Sequence, residues 1–201
     1  MGEIGFGVIG LGMGYSHART AHGMGVLKAV ADISEARGQK AKTELGTDWY
    51  ADVAEMLKRD DIQAVFVAVP SGMHLDMGLK CIEAGKHVII EKPLEITPER
   101  CNQLIDAAQR KGVKLAVNFQ NRFSADVRKA RKAVQEGALG RLLLGEARLK
   151  WYRSQDYYSG GGWRGTWKMD GGGSLMNQSV HYIDLLQWIC GKVAAVRGQY
   201  K

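Results

Sequence analysis

Short apolar runs alternate with amphipathic segments along the first 117 residues of this 201-residue chain. The apolar runs have the length of strands and fall at residues 4–9, 26–31, 64–69, 87–90 and 113–117. Helical spacing of apolar residues, with glycine or proline near the boundaries, predicts helices between them. Strands separated by helices pair in parallel through right-handed crossovers. The pattern therefore predicts an α/β fold with a doubly wound parallel sheet.

A glycine-rich turn follows the first apolar run and opens the first helix, with the sequence Gly10-Leu11-Gly12-Met13-Gly14. Glycine lets the backbone turn sharply and lets a pyrophosphate approach the main-chain amides, while the helix N-terminus carries a partial positive charge. The spacing leaves open whether Gly14 or Tyr15 occupies the third position of the fingerprint. We predict that the turn contacts the phosphates of a dinucleotide through Gly10, Gly12, Met13 and Gly14.

An acidic residue, Asp32, closes the second apolar run 22 residues after Gly10. A carboxylate at this place accepts hydrogen bonds from the ribose hydroxyls of a bound dinucleotide. Because a 2′-phosphate would meet this carboxylate, Asp32 favours NAD, while Arg37 in the next helix leaves NADP as the alternative. Ile33 is predicted to contact the same cofactor. The glycines alone would fit a plain tight turn, but glycines and acid together predict a dinucleotide site.

The length of the chain exceeds what one such sheet requires, which is roughly 120 residues. We predict a Rossmann-type dinucleotide-binding domain over residues 1–120 and a partial second α/β domain over residues 121–201. In the second unit the sequence predicts a basic helix, a strand over 142–151, a glycine- and aromatic-rich loop and a helix over 174–190. A last strand is predicted over 193–200.

Composition excludes several other classes of protein. Three cysteines are too few and odd in number for a disulfide scaffold, which predicts reduced thiols in a cytoplasmic protein. No apolar run has the length of a membrane helix, and the N-terminus lacks the pattern of a secretory signal. The five histidines and three cysteines show no metal-ligand spacing, so no metal is predicted.

The net charge of +7 raises the question of a nucleic-acid partner. Several of the basic residues fall in one predicted helix, where a solvated helix face explains them. Neither a nucleic-acid reading motif nor interleaved aromatic residues accompany them, so no nucleic-acid partner is predicted. The excess positive charge also suits an anionic small molecule, such as a dinucleotide or a nucleotide sugar.

Four blocks of sequence carry a resemblance to a known family: residues 8–12 (VIGLG), 69–74 (VPSGMH), 84–94 (AGKHVIIEKPL) and 171–184 (GGGSLMNQSVHYID). Over essentially its whole length the chain resembles the glucose–fructose oxidoreductase, inositol dehydrogenase and rhizopine-catabolism (Gfo/Idh/MocA) family. The resemblance implies an NAD(P)-dependent oxidoreductase that acts on sugars, polyols or nucleotide sugars. It also implies further cofactor contacts, which are Val69, Pro70, Ser71, His74, Glu91, Lys92, Asn118, Trp163 and Arg164.

One face of the 174–190 helix carries Asn177, His181 and Asp184, at positions i, i+4 and i+7. Oxidation of a secondary alcohol needs a base, and a neutral imidazole suits that role near pH 7. We predict His181 as the base, Asn177 as the residue that orients substrate or imidazole, and Lys92 as the cation that stabilises the developing alkoxide. Asp184 is predicted to pair with a nearby donor, with orientation of His181 as the alternative. His17 is predicted to be structural.

Members of the resembled family normally continue well beyond the length of this chain. We therefore expect a C-terminally truncated second domain with exposed apolar surface and a tendency to form a homo-oligomer. Two functions follow from the sequence: a sugar, polyol or nucleotide-sugar dehydrogenase, or a dinucleotide-binding fragment or non-catalytic relative without turnover. A related branch that uses NAD transiently to cleave glycosides also stays open.

Overall fold

Six strands form one parallel sheet in this computed structural model, which describes residues 4–160 and 162–199. The strands are β1 (Phe6–Ile9), β2 (Leu27–Ala31), β3 (Asp48–Tyr50), β4 (Ala64–Val67), β5 (His87–Glu91) and β6 (Leu115–Asn118). Their order across the sheet is β3-β2-β1-β4-β5-β6, and every neighbouring pair is parallel. The predicted Rossmann-type doubly wound sheet is confirmed. Since the strand order reverses between β1 and β4, a crevice opens at the carboxyl ends of the strands.

Helices flank the sheet and continue beyond it. They are α1 (Gly14–Gly23), α2 (Glu35–Leu45), α3 (Val53–Leu57), α4 (His74–Glu83), α5 (Pro98–Lys111), α6 (Ala125–Gln135), α7 (Gln155–Ser159) and α8 (Val180–Cys190). Short 3₁₀ turns occupy Ser71–Met73 and Gln120–Phe123, and a π-helical turn at Leu175–Ser179 precedes α8.

The core lies on both faces of the sheet, because successive residues of a strand point to opposite sides. Val8, Val30 and Phe66 pack on the side of α1 and α2. Their chain neighbours, such as Val67, pack on the side of α3, α4 and α5 together with Ile90. Burial on both faces explains why these strands appear in the sequence as unbroken apolar runs.

Capping residues set the helix boundaries in the first part of the chain. The Thr97 hydroxyl accepts a hydrogen bond from the Arg100 N–H, and Pro98 occupies the first turn of α5. Gly46 ends α2 in the left-handed conformation, with φ of 59°. Both boundaries carry the proline or glycine signal on which the prediction of helices between the apolar runs rests.

Two strands predicted in the second part of the chain are wrong. Residues 142–151 and 193–199 have no strand partner among the described residues, and residue 200 of the second prediction lies outside them. An extended segment becomes a strand only where a neighbour accepts its main-chain hydrogen bonds. The described second part instead consists of α6, α7, the π-helical turn and α8, with α6 packed against α8.

None of the helices in the described ranges combines the length and apolar character that crossing a bilayer requires.

Candidate functional site

A cavity of about 930 Å³ opens at the carboxyl edge of the sheet, next to the point where the strand order reverses. Ile9, Ala31, Glu91 and Asn118, each the last residue of its strand, contribute to the lining. The structure brings nearly all of the predicted site residues to this one cavity. They are Gly10, Gly12, Met13, Asp32, Ile33, Arg37, Val69, Pro70, Ser71, His74, Glu91, Lys92, Asn118, Trp163, Arg164, Asn177 and His181.

The glycine turn forms one end of the cavity. Gly10 has φ of 85°, and a Cβ there would lie 2.7 Å from the carbonyl oxygen of Ala68, so only glycine fits without strain. A Cβ at Gly12 would meet no described protein atom within 4 Å. Gly12 therefore leaves open space in front of the N-terminus of α1, where unpaired N–H groups favour an anion.

Gly14 differs from the other predicted site residues because it does not line the cavity. It is buried beneath the turn, where a Cβ would lie 3.0 Å from Cβ of Ala68 and 3.2 Å from Cγ1 of Val8. This close approach of helix and sheet answers the question left open by the sequence: Gly14, and not Tyr15, fills the third position. Its role is packing.

The carboxylate of Asp32 ties the glycine turn to the end of β2. It accepts hydrogen bonds from the N–H of Leu11 at 2.6 Å, from the N–H of Ser34 at 2.7 Å and from the Arg37 guanidinium at 2.9 and 3.0 Å. Burial alone would raise the pKa of Asp32, but these donors outweigh burial and hold the pKa below its ordinary value. Asp32 is therefore a fixed anion at one end of the cavity.

Glu91 is held by a residue that the sequence analysis did not select, His17. Oε1 of Glu91 lies 2.9 Å from Nε2 of His17 and accepts a hydrogen bond of 2.7 Å from the Asn118 amide. The His17 ring stacks on Phe66 at 4.0 Å, which fixes its position. Burial would raise the pKa of Glu91, but the bonds from His17 and Asn118 outweigh it and lower the pKa. The predicted structural role of His17 thus includes a place in the site.

The position of His17 in the sequence contains a signal that could have found it. α1 begins at Gly14, so His17 lies in the first turn of a helix that starts at the glycine turn. A residue in that turn stays near the carboxyl edge of the sheet, where Glu91 ends β5.

Lys92 lies against Asn177, which comes from the π-helical turn far along the chain. Nζ of Lys92 donates to the main-chain oxygen of Asn177 at 2.8 Å and to its side-chain oxygen at 3.2 Å. The side-chain nitrogen Nδ2 of Asn177 donates to Oδ1 of Asp170 at 2.7 Å. Because a carboxylate can only accept and an ammonium can only donate, the side-chain nitrogen of Asn177 must face Asp170 and its oxygen must face Lys92. Asn177 therefore orients the amine of Lys92 in this structure.

Asp170 is a second residue that the sequence analysis missed. It is fully buried and also accepts a hydrogen bond from the N–H of Gly165. A lone aspartate immediately before three glycines, as Asp170 is, could have indicated a carboxylate with a specific partner.

Charge and burial shift the acid–base behaviour of the two candidate catalytic groups in the same direction. Burial lowers the pKa of Lys92, and the Arg164 guanidinium adds to the effect, while Glu91 opposes it. Burial also lowers the pKa of His181, and the cation of Lys92 lowers it further. Nδ1 of His181 is buried and has no hydrogen-bond partner within the described ranges. A neutral imidazole is suited to accept a proton.

Asp184 pairs with Arg122. The carboxylate accepts a hydrogen bond of 2.8 Å from Nε of Arg122, and Nη2 of the same guanidinium donates to the other oxygen. The prediction that Asp184 serves a nearby donor is confirmed, and the alternative, a hydrogen bond to His181, is absent from the described contacts. The pair attaches α8 to the 3₁₀ turn Gln120–Phe123.

His74 is a structural link and not a free base. Its two ring nitrogens each lie 2.9 Å from a carbonyl oxygen, one of Pro93 and one of Val69. Burial lowers the pKa of His74 in spite of these contacts. His74 thereby joins the turn after β4 to the Lys92–Pro93 step, whose peptide bond is cis.

The described residues contain no group of three or more His, Cys, Asp or Glu side chains arranged to hold a metal ion. The cavity lining includes an amine, that of Lys92, an imidazole, that of His181, and the carboxylates of Asp32 and Glu91.

Comparison with protein families agrees with this architecture. A family model described as an oxidoreductase family with an NAD-binding Rossmann fold, GFO_IDH_MocA, matches residues 4–119. A second model, the GFO/IDH/MocA C-terminal domain, matches residues 127–201. The chain belongs to the Gfo/Idh/MocA family. The resemblance inferred from the sequence blocks is confirmed.

Individual members of the Gfo/Idh/MocA family show the range of the likeness. The chain is 30% identical to levoglucosan dehydrogenase of Pseudarthrobacter phenanthrenivorans, over 98% of this chain and 53% of that protein. It is 31% identical to alpha-N-acetylgalactosaminidase of Shewanella oneidensis, over 84% of this chain and 40% of that protein.

A crystal structure shares both the fold and the sequence pattern. The WlbA dehydrogenase of Chromobacterium violaceum, in complex with NADH and UDP-GlcNAcA, is 35% identical, with a TM-score of 0.88 over 94% of this chain and 56% of that one. This Gfo/Idh/MocA chain thus spans about half the length of the relatives it matches.

Proposed function

We propose that this chain binds NAD and transfers a hydride between NAD and a secondary alcohol of a sugar, polyol or nucleotide sugar. The observation that carries the proposal is the meeting of a glycine turn, an acid at the end of β2, an amine and a neutral imidazole in one cavity. The dehydrogenase relatives support it, since one is named for levoglucosan and another is bound to NADH and UDP-GlcNAcA.

The cavity fits a dinucleotide at both of its ends. Asp32 would accept hydrogen bonds from the adenosine ribose, and the open space at Gly12 in front of α1 would take the pyrophosphate. Glu91 and Asn118 lie at the ends of β5 and β6, where the nicotinamide would be held. Bound NAD supplies the hydride acceptor.

The charge around Asp32 supports NAD over NADP. Arg37 already donates two hydrogen bonds to Asp32, so its charge is paired with that carboxylate. A 2′-phosphate would have to compete with Asp32 for Arg37 and would meet the carboxylate as a like charge. NADP remains the second choice of cofactor in this proposal.

The residues of the chain would move the proton as the alcohol is oxidised. His181 is neutral near pH 7 because burial and Lys92 lower its pKa, so it can accept the hydroxyl proton. Lys92 would donate to the same oxygen as negative charge develops on it. Asn177 and Asp170 hold the amine in place for that contact.

A spectrophotometric assay tests the proposal. The chain is mixed with NAD and a panel of sugars, polyols and nucleotide sugars, and absorbance of the reduced nicotinamide is followed. We expect turnover with at least one of them, and a loss of about 10²–10⁴-fold in kcat for His181→Ala. His22→Ala is the matched control, because His22 is exposed and lies outside the cavity lining. Normal turnover in His181→Ala would remove His181 as the base.

A second candidate function is glycoside cleavage, favoured by the 31% identity to an alpha-N-acetylgalactosaminidase. A glycosidase would release its leaving group without net accumulation of reduced cofactor. Release of p-nitrophenol from p-nitrophenyl N-acetyl-α-galactosaminide, with no change in the NADH band, would favour this function. Calorimetric binding of NADH with turnover in neither assay would favour a non-catalytic dinucleotide-binding protein.

We infer further that the protein is cytoplasmic. All three cysteines, Cys81, Cys101 and Cys190, are free, which suits a reducing compartment.

We also infer that the protein assembles as a homo-oligomer. Large apolar side chains in the second part are exposed, and Leu143, Leu144 and Trp167 are each 82% exposed, which suits an interface. Light scattering at several protein concentrations would measure the mass of the particle in solution, and a monomer at every concentration would contradict the homo-oligomer.

A further inference from the structure

A cluster of cationic and aromatic side chains lines the cavity on the side of α7. The guanidinium carbon of Arg153 lies 5.4 Å from the ring centroid of Tyr157, and that of Arg164 lies 5.0 Å from the same ring. Arg153 also lies 5.4 Å from the Trp151 ring. Both arginines and Tyr157 belong to the lining. The aromatic rings therefore hold two guanidinium groups at one wall of the cavity.

Hydrogen bonds connect this wall to the candidate catalytic amine. Nη2 of Arg153 lies 3.4 Å from the side-chain oxygen of Gln178, and the side-chain amide of Gln178 donates to the hydroxyl of Tyr157 at 3.1 Å. Gln178 directly follows Asn177, which binds Lys92. Arg153 is thus attached to the π-helical turn at Gln178, the residue that follows the Lys92 partner Asn177.

The positive charge of this wall lacks a carboxylate partner. Within the described residues, neither Arg153 nor Arg164 forms a salt bridge, whereas Arg37, Arg59, Arg100 and Arg122 each do. Arg164 also repels the charge of Lys92, whereas the carboxylates of Glu91 and Asp170 attract that charge. Since neither guanidinium group of the wall has such a carboxylate partner within the described residues, an anionic ligand would supply one.

We propose that Arg153 determines specificity by binding a carboxylate or phosphate group of the sugar substrate, so that the enzyme selects anionic sugars. The proposal rests on the proposed function and adds the substrate class. A guanidinium offers parallel N–H donors that match two oxygens of either group. Tyr157 and Gln178 hold Arg153 before the substrate arrives, and Arg164 adds positive charge beside it.

Calorimetric titration tests the proposal with three probes: D-glucose, D-glucuronate and UDP-glucose. Each probe is titrated with and without saturating NADH, so the anion site is tested even if NADH does not bind. We expect D-glucuronate, UDP-glucose or both to bind at least about tenfold more tightly than D-glucose, as hydrogen bonds to charged groups provide. The probe preferred distinguishes a carboxylate from a phosphate. Added KCl should lower the affinity for the charged probes and leave the affinity for D-glucose unchanged.

Variants assign the effect to Arg153. Arg153→Gln should bring the affinity for the charged probe to within about threefold of that for D-glucose, with the affinity for NADH unchanged. Arg153→Lys should have an affinity for the charged probe between those of the wild type and Arg153→Gln, since an ammonium keeps the charge but lacks the planar pair of N–H donors. Lys150→Gln is the matched control, because Lys150 is exposed in the same segment and lies outside the cavity lining.

Three results would overturn the proposal. The first is that no charged probe binds more tightly than D-glucose, and the second is that Arg153→Gln retains the preference for a charged probe. The third is that Arg153→Gln lowers the affinity for NADH as much as the affinity for the charged probe. The last result would assign Arg153 to the cofactor phosphates. Failure of NADH to bind, with the preference for charged probes intact, would instead refute the proposed function and leave the anion site supported.

Discussion

The amine nitrogen of Lys92 lies 2.8 Å from the main-chain oxygen of Asn177, a residue 85 positions later in the chain. The contact joins the end of β5 to the π-helical turn before α8. The second part of the chain thereby determines where an amine at the edge of the sheet points. π-Helical turns are rare and occur often at functional sites, which agrees with this placement.

Asn177→Ala is expected to destabilise the protein. The substitution removes the amide that donates to the buried carboxylate of Asp170 and the side-chain oxygen that accepts from Lys92. Asp170 keeps the N–H of Gly165 but loses the donor to its other oxygen, and a buried acceptor left unsatisfied costs about 1–3 kcal/mol. Urea unfolding would measure the loss, with Asn102→Ala on the exposed side of α5 as the control. Equal stability of the two variants would show that the amide is dispensable.

Lys92→Met is expected to raise the pKa of His181. Burial lowers that pKa first and the cation of Lys92 lowers it further, so removing the cation leaves only burial to disfavour the imidazolium. An NMR titration of the His181 ring would report the change directly, without a need for turnover. Lys111→Met, an exposed change at the end of α5, should leave the titration as it is. A pKa that stays constant in Lys92→Met would mean that the two groups are not coupled.

His17→Phe is expected to lower the free energy of unfolding at neutral pH. Phenylalanine keeps a ring against Phe66 but cannot bind the carboxylate of Glu91. A hydrogen bond to a charged group is worth about 1.5–3 kcal/mol. Denaturant unfolding measures the difference, and His22→Phe serves as an exposed control.

The same comparison has a defined dependence on pH. Since the pKa of Glu91 is lower in the folded protein than its ordinary 4.5, the unfolded chain binds the proton first as pH falls. The stability that Glu91 contributes is therefore complete above about pH 4.5 and is lost as pH falls through the folded pKa. The difference between wild type and His17→Phe should shrink in that range. A difference independent of pH would indicate lost packing and not a lost bond to a carboxylate.

Gly12→Ala and Gly14→Ala are expected to act on different properties. A Cβ at Gly14 would press on Ala68 and Val8, so the variant should lose roughly 1–3 kcal/mol of stability. A Cβ at Gly12 meets no described protein atom within 4 Å, so this variant should unfold like the wild type. It would instead occupy the phosphate space and weaken NADH binding by about tenfold, or ~1.4 kcal/mol. Thermal unfolding measures the stability of each variant, and calorimetry measures its affinity for NADH. A destabilised Gly12→Ala, or a Gly14→Ala with normal stability and weaker NADH binding, would contradict the expectation.

Periodicity predicted the sheet well where strands are buried on both faces. β4 consists of Ala64–Val67 with every residue buried, and such a run is visible in the sequence without any partner. β3 escaped prediction because Asp48–Tyr50 is three residues long and begins with an exposed aspartate. It exists because Ala29, Val30 and Ala31 of β2 pair with it. The apolar residues of 142–151 have strand-like composition but no such partner in the described part of the chain.

Residues that line the cavity were predictable where a motif fixes the backbone, as at Gly10, Gly12 and Asp32. Contacts that depend on tertiary structure were not. His17 meets Glu91 across 74 positions, and Arg153 reaches Gln178 across 25, so neither pairing has a local signature. The contact of Asn177 with Lys92 was not predicted either, because only the folded chain shows that its oxygens face Lys92. That Asn177 orients substrate or imidazole stays a prediction.

The two hydrogen bonds from Lys92 to Asn177 have a stereochemical consequence. An ammonium group has three N–H bonds, and Asn177 takes two of them. Among the described contacts, a single N–H is left to point toward a ligand. One oxygen at a time can occupy that direction, so Lys92 would contact a polyhydroxylated ring at a single hydroxyl, and the proposed reaction would be regioselective.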